Sequence, residues 1–201
     1  LLRVNALIRG NSGIRIEVLD KLVEMLNKDV CPVVFEKGSL GASGDLAPLS
    51  HMSLPIIGLG ECYYKGKRMS TNDAFIRAKI TPIESLKAKE GLSLINGTQA
   101  MTSVGAFVLY DATKLAKIAN LSLSLTMESL HGIIDAYDPR VHLVRGHKGQ
   151  INVAEHVRSI LEGSKNITRQ GEERVQDAYS IRCAPQVHGA TFDALEFVKE
   201  K

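Results

Sequence analysis

The residues best suited to unusual chemistry lie in one short block, Gly38-Ser39-Leu40-Gly41-Ala42-Ser43-Gly44-Asp45-Leu46-Ala47-Pro48-Leu49. Read for composition alone, it is a Gly/Ser turn leading into a helix capped by Asp45. A phosphate-cradling loop would end in Gly-Lys-Ser/Thr, and that ending is absent. A nucleophile elbow needs Gly-x-Ser-x-Gly, whereas Ser43 is followed directly by Gly44. A third chemistry does fit. In an Ala-Ser-Gly bend the glycine amide nitrogen can attack the alanine carbonyl carbon, because glycine has no Cβ to block the approach or forbid unusual dihedrals. Loss of one water closes a five-membered ring. Loss of a second, from the serine, leaves an exocyclic methylene, an electrophile that no standard side chain supplies.

Two distant blocks accompany this one: Gly91-Leu92-Ser93-Leu94-Ile95-Asn96-Gly97-Thr98-Gln99, and Val175-Gln176-Asp177-Ala178-Tyr179-Ser180-Ile181-Arg182-Cys183-Ala184-Pro185-Gln186-Val187. The opening Leu2-Arg3-Val4-Asn5 with Arg9-Gly10-Asn11-Ser12-Gly13 belongs to the same pattern. Across these blocks the sequence resembles the histidine and aromatic amino-acid ammonia-lyase family. The resemblance implies that Ala42, Ser43 and Gly44 form the prosthetic group 4-methylideneimidazole-5-one, with Ser43 supplying the methylene. It implies that Asn96 hydrogen-bonds that group and helps bind substrate, and that Gln176 and Tyr179 stand near it. Arg182 matches the arginine that pairs with the substrate carboxylate, a role suited to a guanidinium fork. Taken singly, Asn96 reads as an Asn-Gly helix cap and Arg182 as a surface ion pair; taken with the Ala-Ser-Gly block, the functional reading prevails.

The resemblance further implies non-oxidative elimination of ammonia from an amino acid in a homotetramer whose active sites are shared between subunits. Arg182-Cys183-Ala184-Pro185-Gln186-Val187 is more like the histidine enzymes than the phenylalanine or tyrosine enzymes, so the expected reaction is L-histidine to urocanate. The alternatives are a phenylalanine or tyrosine ammonia-lyase or aminomutase, or a non-catalytic helical piece that only associates. Lyases of the fumarase and aspartase type share the architecture, but their Gly-Ser-Ser-x-Met-Pro-x-Lys signature is missing. No residue matches the family's tyrosine base or an acidic residue of its active site. The chain therefore reads as a piece of something longer, expected to be inactive alone with its tripeptide uncyclised.

The elements that must hold these residues are helical. Ile14, Val18, Leu19, Leu22, Val23, Leu26 and Val30 recur at helical steps after Asn11-Ser12-Gly13, which can cap a helix that Cys31-Pro32 ends. Tyr63 to Met69 alternates around Lys65-Gly66 and predicts a short hairpin. Thr71-Asn72-Asp73 caps a short helix finishing before Pro82. From Thr98 to Ile134 there is no proline and apolar residues point nearly all round, which predicts one long buried helix or two in line. Further helices fit Ile151 to Glu162 and Val187 to Lys199, while Arg140 to Gln150 reads as a loop. The expected fold is an all-α long-helix bundle resembling the aspartase/ammonia-lyase superfamily, residues 1–84 belonging to the domain that bears the prosthetic group and 85–201 to the central bundle.

Composition closes off other classes. Of 201 residues 44% are hydrophobic and 23% charged, with a formal net charge of +3 scattered along the chain, so no basic stripe for nucleic acid appears. No uninterrupted apolar run reaches membrane-spanning length, and no membrane association is expected. Cys31, Cys62 and Cys183 are three isolated thiols, which fits a reducing cytoplasm. The six histidines show no metal-ligand spacing, so no metal is expected.

Overall fold

The computed structural model describes residues 1–42 and 44–201, and their packing divides them into two units, Leu1–Gly105 and Ala106–Lys201. Ser43, expected to supply the methylene, lies outside the described residues.

The first unit contains α1 (Leu2–Leu7), α2 (Ile16–Asn27), β1 (Val30–Pro32), α3 (Leu46–Ser53), β2 (Glu61–Tyr64), β3 (Lys67–Ser70), α4 (Thr71–Ala78), α5 (Glu90–Ile95) and the start of α6 (Gln99–Leu130). Its core gathers Leu7, Val18, Met25, Val30, Ile56, Cys62, Phe75 and Leu94. The hairpin forms as expected: β2 and β3 pair antiparallel, Cys62 opposite Met69. Lys65 and Gly66 both take positive φ, 48° and 75°, as a tight turn matching strand twist requires. A third strand was not foreseen. Helix α2 stops at Asn27, Asp29 turns with φ 54°, and Val30 pairs with Tyr64. Val30 kept the helical spacing of the stripe, yet it reaches the core as a strand residue.

Two caps also differ from expectation. Asn11-Ser12-Gly13 does not cap α2; the N-cap is Arg15, whose guanidinium instead pairs with Glu90 of α5, Nε to Oε1 at 2.8 Å. Helix α4 is capped one residue earlier than expected, by Ser70, whose Oγ accepts from the Asp73 amide at 3.2 Å.

In the second unit α6 continues to Leu130, followed by α7 (Pro139–Arg145), α8 (Lys148–Ile160), α9 (Tyr179–Arg182) and α10 (Ala184–Glu200). The stretch expected as a loop is largely α7 and the start of α8. Asp138 accepts from the Arg140 amide, Pro139 presets the first turn, and Gly146 at φ 77° ends it. Helices α8 and α10 cross at glycines: a Cβ on Gly189 would run into the Gln150 backbone, and one on Gly149 into the Gly189 carbonyl. Asp193 of α10 accepts the Gly149 amide at 2.8 Å, closing the open start of α8. Buried Asn120 ties three helices together, donating to His156 Nδ1 at 3.3 Å and accepting from His188 Nδ1 at 2.7 Å.

Helix α6 runs 32 residues as one element. It is not buried all round in this chain. Asn120, Leu123, Ser124 and Met127 face the core, but Val104, Phe107, Val108, Leu115, Ile118 and Leu125 are exposed. By length and composition alone the Glu90–Leu130 stretch could cross a bilayer.

Candidate active site

The Ala-Ser-Gly block and the Asn-Gly block meet in the first unit. Gly44 has φ 103°, a conformation side chains rarely adopt. A Cβ there would stand 2.8 Å from Asn96 Oδ1, 3.0 Å from the Gly97 amide nitrogen and 3.2 Å from the Gly97 carbonyl oxygen. The Asn96 carboxamide thus lies against Gly44, closer than any other residue type at 44 would permit. The Asp45 amide donates to the Gly97 carbonyl at 3.0 Å, stitching the two blocks together. Ala42 is exposed on the same bend, and Asn96 is exposed at the end of α5. The residues present therefore fit a ring closed through the Gly44 nitrogen, since the Cβ-free surface such a ring needs faces the Asn96 amide.

Asp45 stands at the N-cap of α3 but makes no side-chain capping bond there. Its buried carboxylate accepts instead from the Met101 amide at 2.9 Å, in the first turn of α6, and from the Ser39 hydroxyl. The loop is so anchored at both its flanks, with α6 presenting free amides and Asp45 filling one.

The Asn96–Gly97 turn has its own support. Arg3, 7% exposed, donates to the Ser93 carbonyl, to the Asn96 carbonyl at 3.0 Å and to Gln99 Oε1 at 2.9 Å. Burial lowers the Arg3 pKa from the ordinary arginine value. At the other end of α5, Glu90 accepts from Arg15 Nε and Nη2 at 2.8 and 2.9 Å and from the Lys87 amide at 2.7 Å. Those bonds, the Arg15 fork foremost, hold its carboxyl down to about 2. Arg3 and Gln99 carry no sequence-based role, and Asp45 was expected to cap the helix after it rather than α6. The only signal was their place inside the quoted blocks.

The second unit holds Gln176, Tyr179 and Arg182, of which Tyr179 and Arg182 are in contact. Between them Asp177 is buried, accepting from the Ile133 amide at 2.6 Å and from Arg174 Nε at 2.7 Å. Ile181 is buried too, and its carbonyl accepts from the Tyr137 hydroxyl at 2.6 Å. With Asp177 and Ile181 turned inward, Gln176 and Tyr179 are exposed. Tyr179 and Arg182 are three apart on α9 and stack, the guanidinium carbon 4.0 Å from the ring centre. Arg182 Nε is buried without a hydrogen-bond partner, and among the described residues no carboxylate pairs with this guanidinium. It is not a surface ion pair.

Among the described residues no group of three or more His, Cys, Asp or Glu gathers as a metal site. His142 serves packing: burial lowers its pKa, its Nε2 donates to the Ala136 carbonyl at 3.1 Å, and Nδ1 accepts from Gln150 at 3.0 Å.

The family model for aromatic amino acid lyase matches residues 1–201. Histidine ammonia-lyase 1 of Fusobacterium nucleatum is 62% identical over the whole chain, and histidine ammonia-lyase of Clostridium tetani 58%. The chain spans 39% of the length of these relatives. Among solved structures, ergothionase from Treponema denticola superposes with a TM-score of 0.93 at 34% identity, over 99% of this chain and 40% of that one. Phenylalanine aminomutase of Pantoea agglomerans gives 0.91 at 36%, over 98% and 41%. Histidine ammonia-lyase from Trypanosoma cruzi gives 0.84 at 39%, over 98% and 36%. With its whole length matched and the Ala-Ser-Gly and Asn-Gly blocks packed together, the chain belongs to the aromatic amino acid lyase family.

Proposed function

We propose that the whole protein carrying this sequence is a histidine ammonia-lyase, removing ammonia from L-histidine to give urocanate. The observation that carries the reading is the packing of Gly44 on Asn96 and Gly97, which leaves room for glycine alone. The choice of histidine is supported by the names of the relatives of highest identity reported above and by the Arg182 to Val187 block. The solved neighbours act on varied substrates by their titles, so the shared fold alone does not choose.

Ala42, Ser43 and Gly44 would form the 4-methylideneimidazole-5-one ring, which supplies an electrophilic carbon that activates the amino-acid substrate toward loss of its amine. Asn96 would hold the ring and the substrate through its exposed carboxamide. Arg182 would take the substrate carboxylate in its fork, with Tyr179 stacked beneath to fix the plane and Gln176 nearby. No residue of the 201 matches the family's tyrosine base, so we assign turnover to the whole protein and expect none from these residues alone. We also propose a cytoplasmic homotetramer, supported by three unpaired cysteines and by the exposed apolar side of α6.

Intact mass of the whole protein tests the ring, because two dehydrations remove about 36 Da. The wild type is expected to show that deficit and to produce urocanate, followed by its ultraviolet absorbance, and Ser43→Ala should lose both. A wild type of full mass without urocanate would sink the proposal.

A further inference from the structure

We propose that Arg3 is a positioning residue for ring formation: its buried guanidinium pins the Asn96–Gly97 turn against Gly44. The inference rests on the reading above and deepens it. Three acceptors take its donors, the Ser93 and Asn96 carbonyls and Gln99 Oε1, and all are neutral. Nε is buried with no partner at all. A cation so placed is poorly compensated, since burying charge without a counter-charge is costly. What the guanidinium gains is the end of α5, whose last carbonyls carry partial negative charge and have no helical donor left.

The geometry places Arg3 directly behind the site. A Cβ on Gly97 would overlap Arg3 Nη1 and Gln99 Oε1, while Gly97 itself sits within 3.0 Å of where a Gly44 Cβ would be. Gly97 is thus close to both Arg3 and Gly44, with Gln99 Oε1 beside it and Asn96 Oδ1 beside Gly44. By fixing the Asn96–Gly97 turn, Arg3 therefore fixes the surface on which Gly44 packs, the glycine whose nitrogen must approach the Ala42 carbonyl. Such a strained bend persists only where its surroundings over-determine it. Gln99, at the first residue of α6, completes the brace by holding Nη1 at 2.9 Å. Lysine cannot replace this, because a single ammonium does not span three acceptors arranged around a planar fork.

The test uses the whole protein. Wild type, Arg3→Lys and Gln99→Leu are compared by circular dichroism, light scattering, intact mass and kinetics. Arg3→Lys is expected to fold and assemble like wild type while most of its chains lack the two-water deficit. Its kcat per chain should fall at least about tenfold, in proportion to the uncyclised fraction, with KM unchanged. A residue that merely stabilised the fold would not leave a folded, uncyclised population. Full deficit and unchanged kcat in a folded Arg3→Lys chain overturn the role of Arg3 alone. A wild type without the deficit overturns the parent reading and this one with it. Should Arg3→Lys fail to fold, Gln99→Leu decides: an uncyclised fraction supports the brace, and complete cyclisation with wild-type kcat refutes it.

Discussion

Arg182 has no carboxylate partner among the described residues. Its Nε is buried and unsatisfied, its plane lies on the Tyr179 ring, and neighbouring Asp177 is committed elsewhere, to Arg174 and the Ile133 amide. A buried donor without a partner is costly in the free state and is repaired when a carboxylate arrives. In the whole protein Arg182→Lys should therefore lower kcat/KM by about 1.5–3 kcal/mol, the range for a hydrogen bond to a charged group. Unchanged kcat/KM would remove the carboxylate assignment. Gly44 could be singled out from its type, a glycine that must lack Cβ, whereas Ala42, Asn96 and Arg182 stood out only through the blocks that carry the family resemblance. Arg3 and Asp45 did not, since their parts depend on what lies behind a turn or at the start of another helix. Asp45 shows this well. Local pattern made it the cap of α3, but its carboxylate closes α6 instead, 56 residues on.

At the scale of elements, the short helix α5 is held at both ends by arginines, Arg15 on Glu90 and Arg3 on the last carbonyls. A helix of six residues has little stability of its own, so these clamps position Asn96. The Glu90 carboxyl is held at about 2, below its unperturbed 4.5. A depressed carboxyl contributes stability that is fully present above the unfolded value and is lost as pH falls through the folded one. Glu90→Gln should cost about 1.5–3 kcal/mol near neutral pH, and its gap from wild type should narrow as pH drops from 4.5 toward 2. Urea midpoints of both proteins across that range check it, and a gap independent of pH would count against the clamp. The elements themselves were partly readable. Proline-free length predicted α6, and Lys65-Gly66 predicted the hairpin. Strand β1 was hidden because a three-residue strand has no period to detect and Val30 continued the stripe of α2. Helix α7 was hidden because the polar stretch drew attention from the Asp138-Pro139 start.

For the molecule as a whole, the decisive feature is that α6 has one buried face and an exposed apolar one opposite it. At 100° per residue, Asn120, Leu123, Ser124 and Met127 fall on one face, buried in the second unit's core. Met101, Val104, Val108, Leu115, Ile118 and Leu125 recur on the opposite face, with Phe107 beside them 70% exposed. An exposed apolar stripe of this length, broken by Asp111, marks an interaction surface. Lipid is a poor occupant for it, because Asp111, Lys114, Lys117 and Glu128 interrupt the helix and Lys114 sits 4.3 Å from the Tyr110 ring centre. Equivalent helices of other copies are the better one: long helices pack by such stripes in bundles, and each fully covered large side chain contributes roughly 1.5–3 kcal/mol. Under closed symmetry a single substitution acts once per copy, so its effect is multiplied across the assembly. We therefore expect the whole protein to be oligomeric at micromolar concentration, and Phe107→Glu combined with Ile118→Glu to shift it toward smaller species, with urocanate production falling alongside. Light scattering and gel filtration of both proteins decide the matter. A wild type that runs as a monomer, or a double variant of unchanged mass, would show that α6 is covered by something other than its own copies.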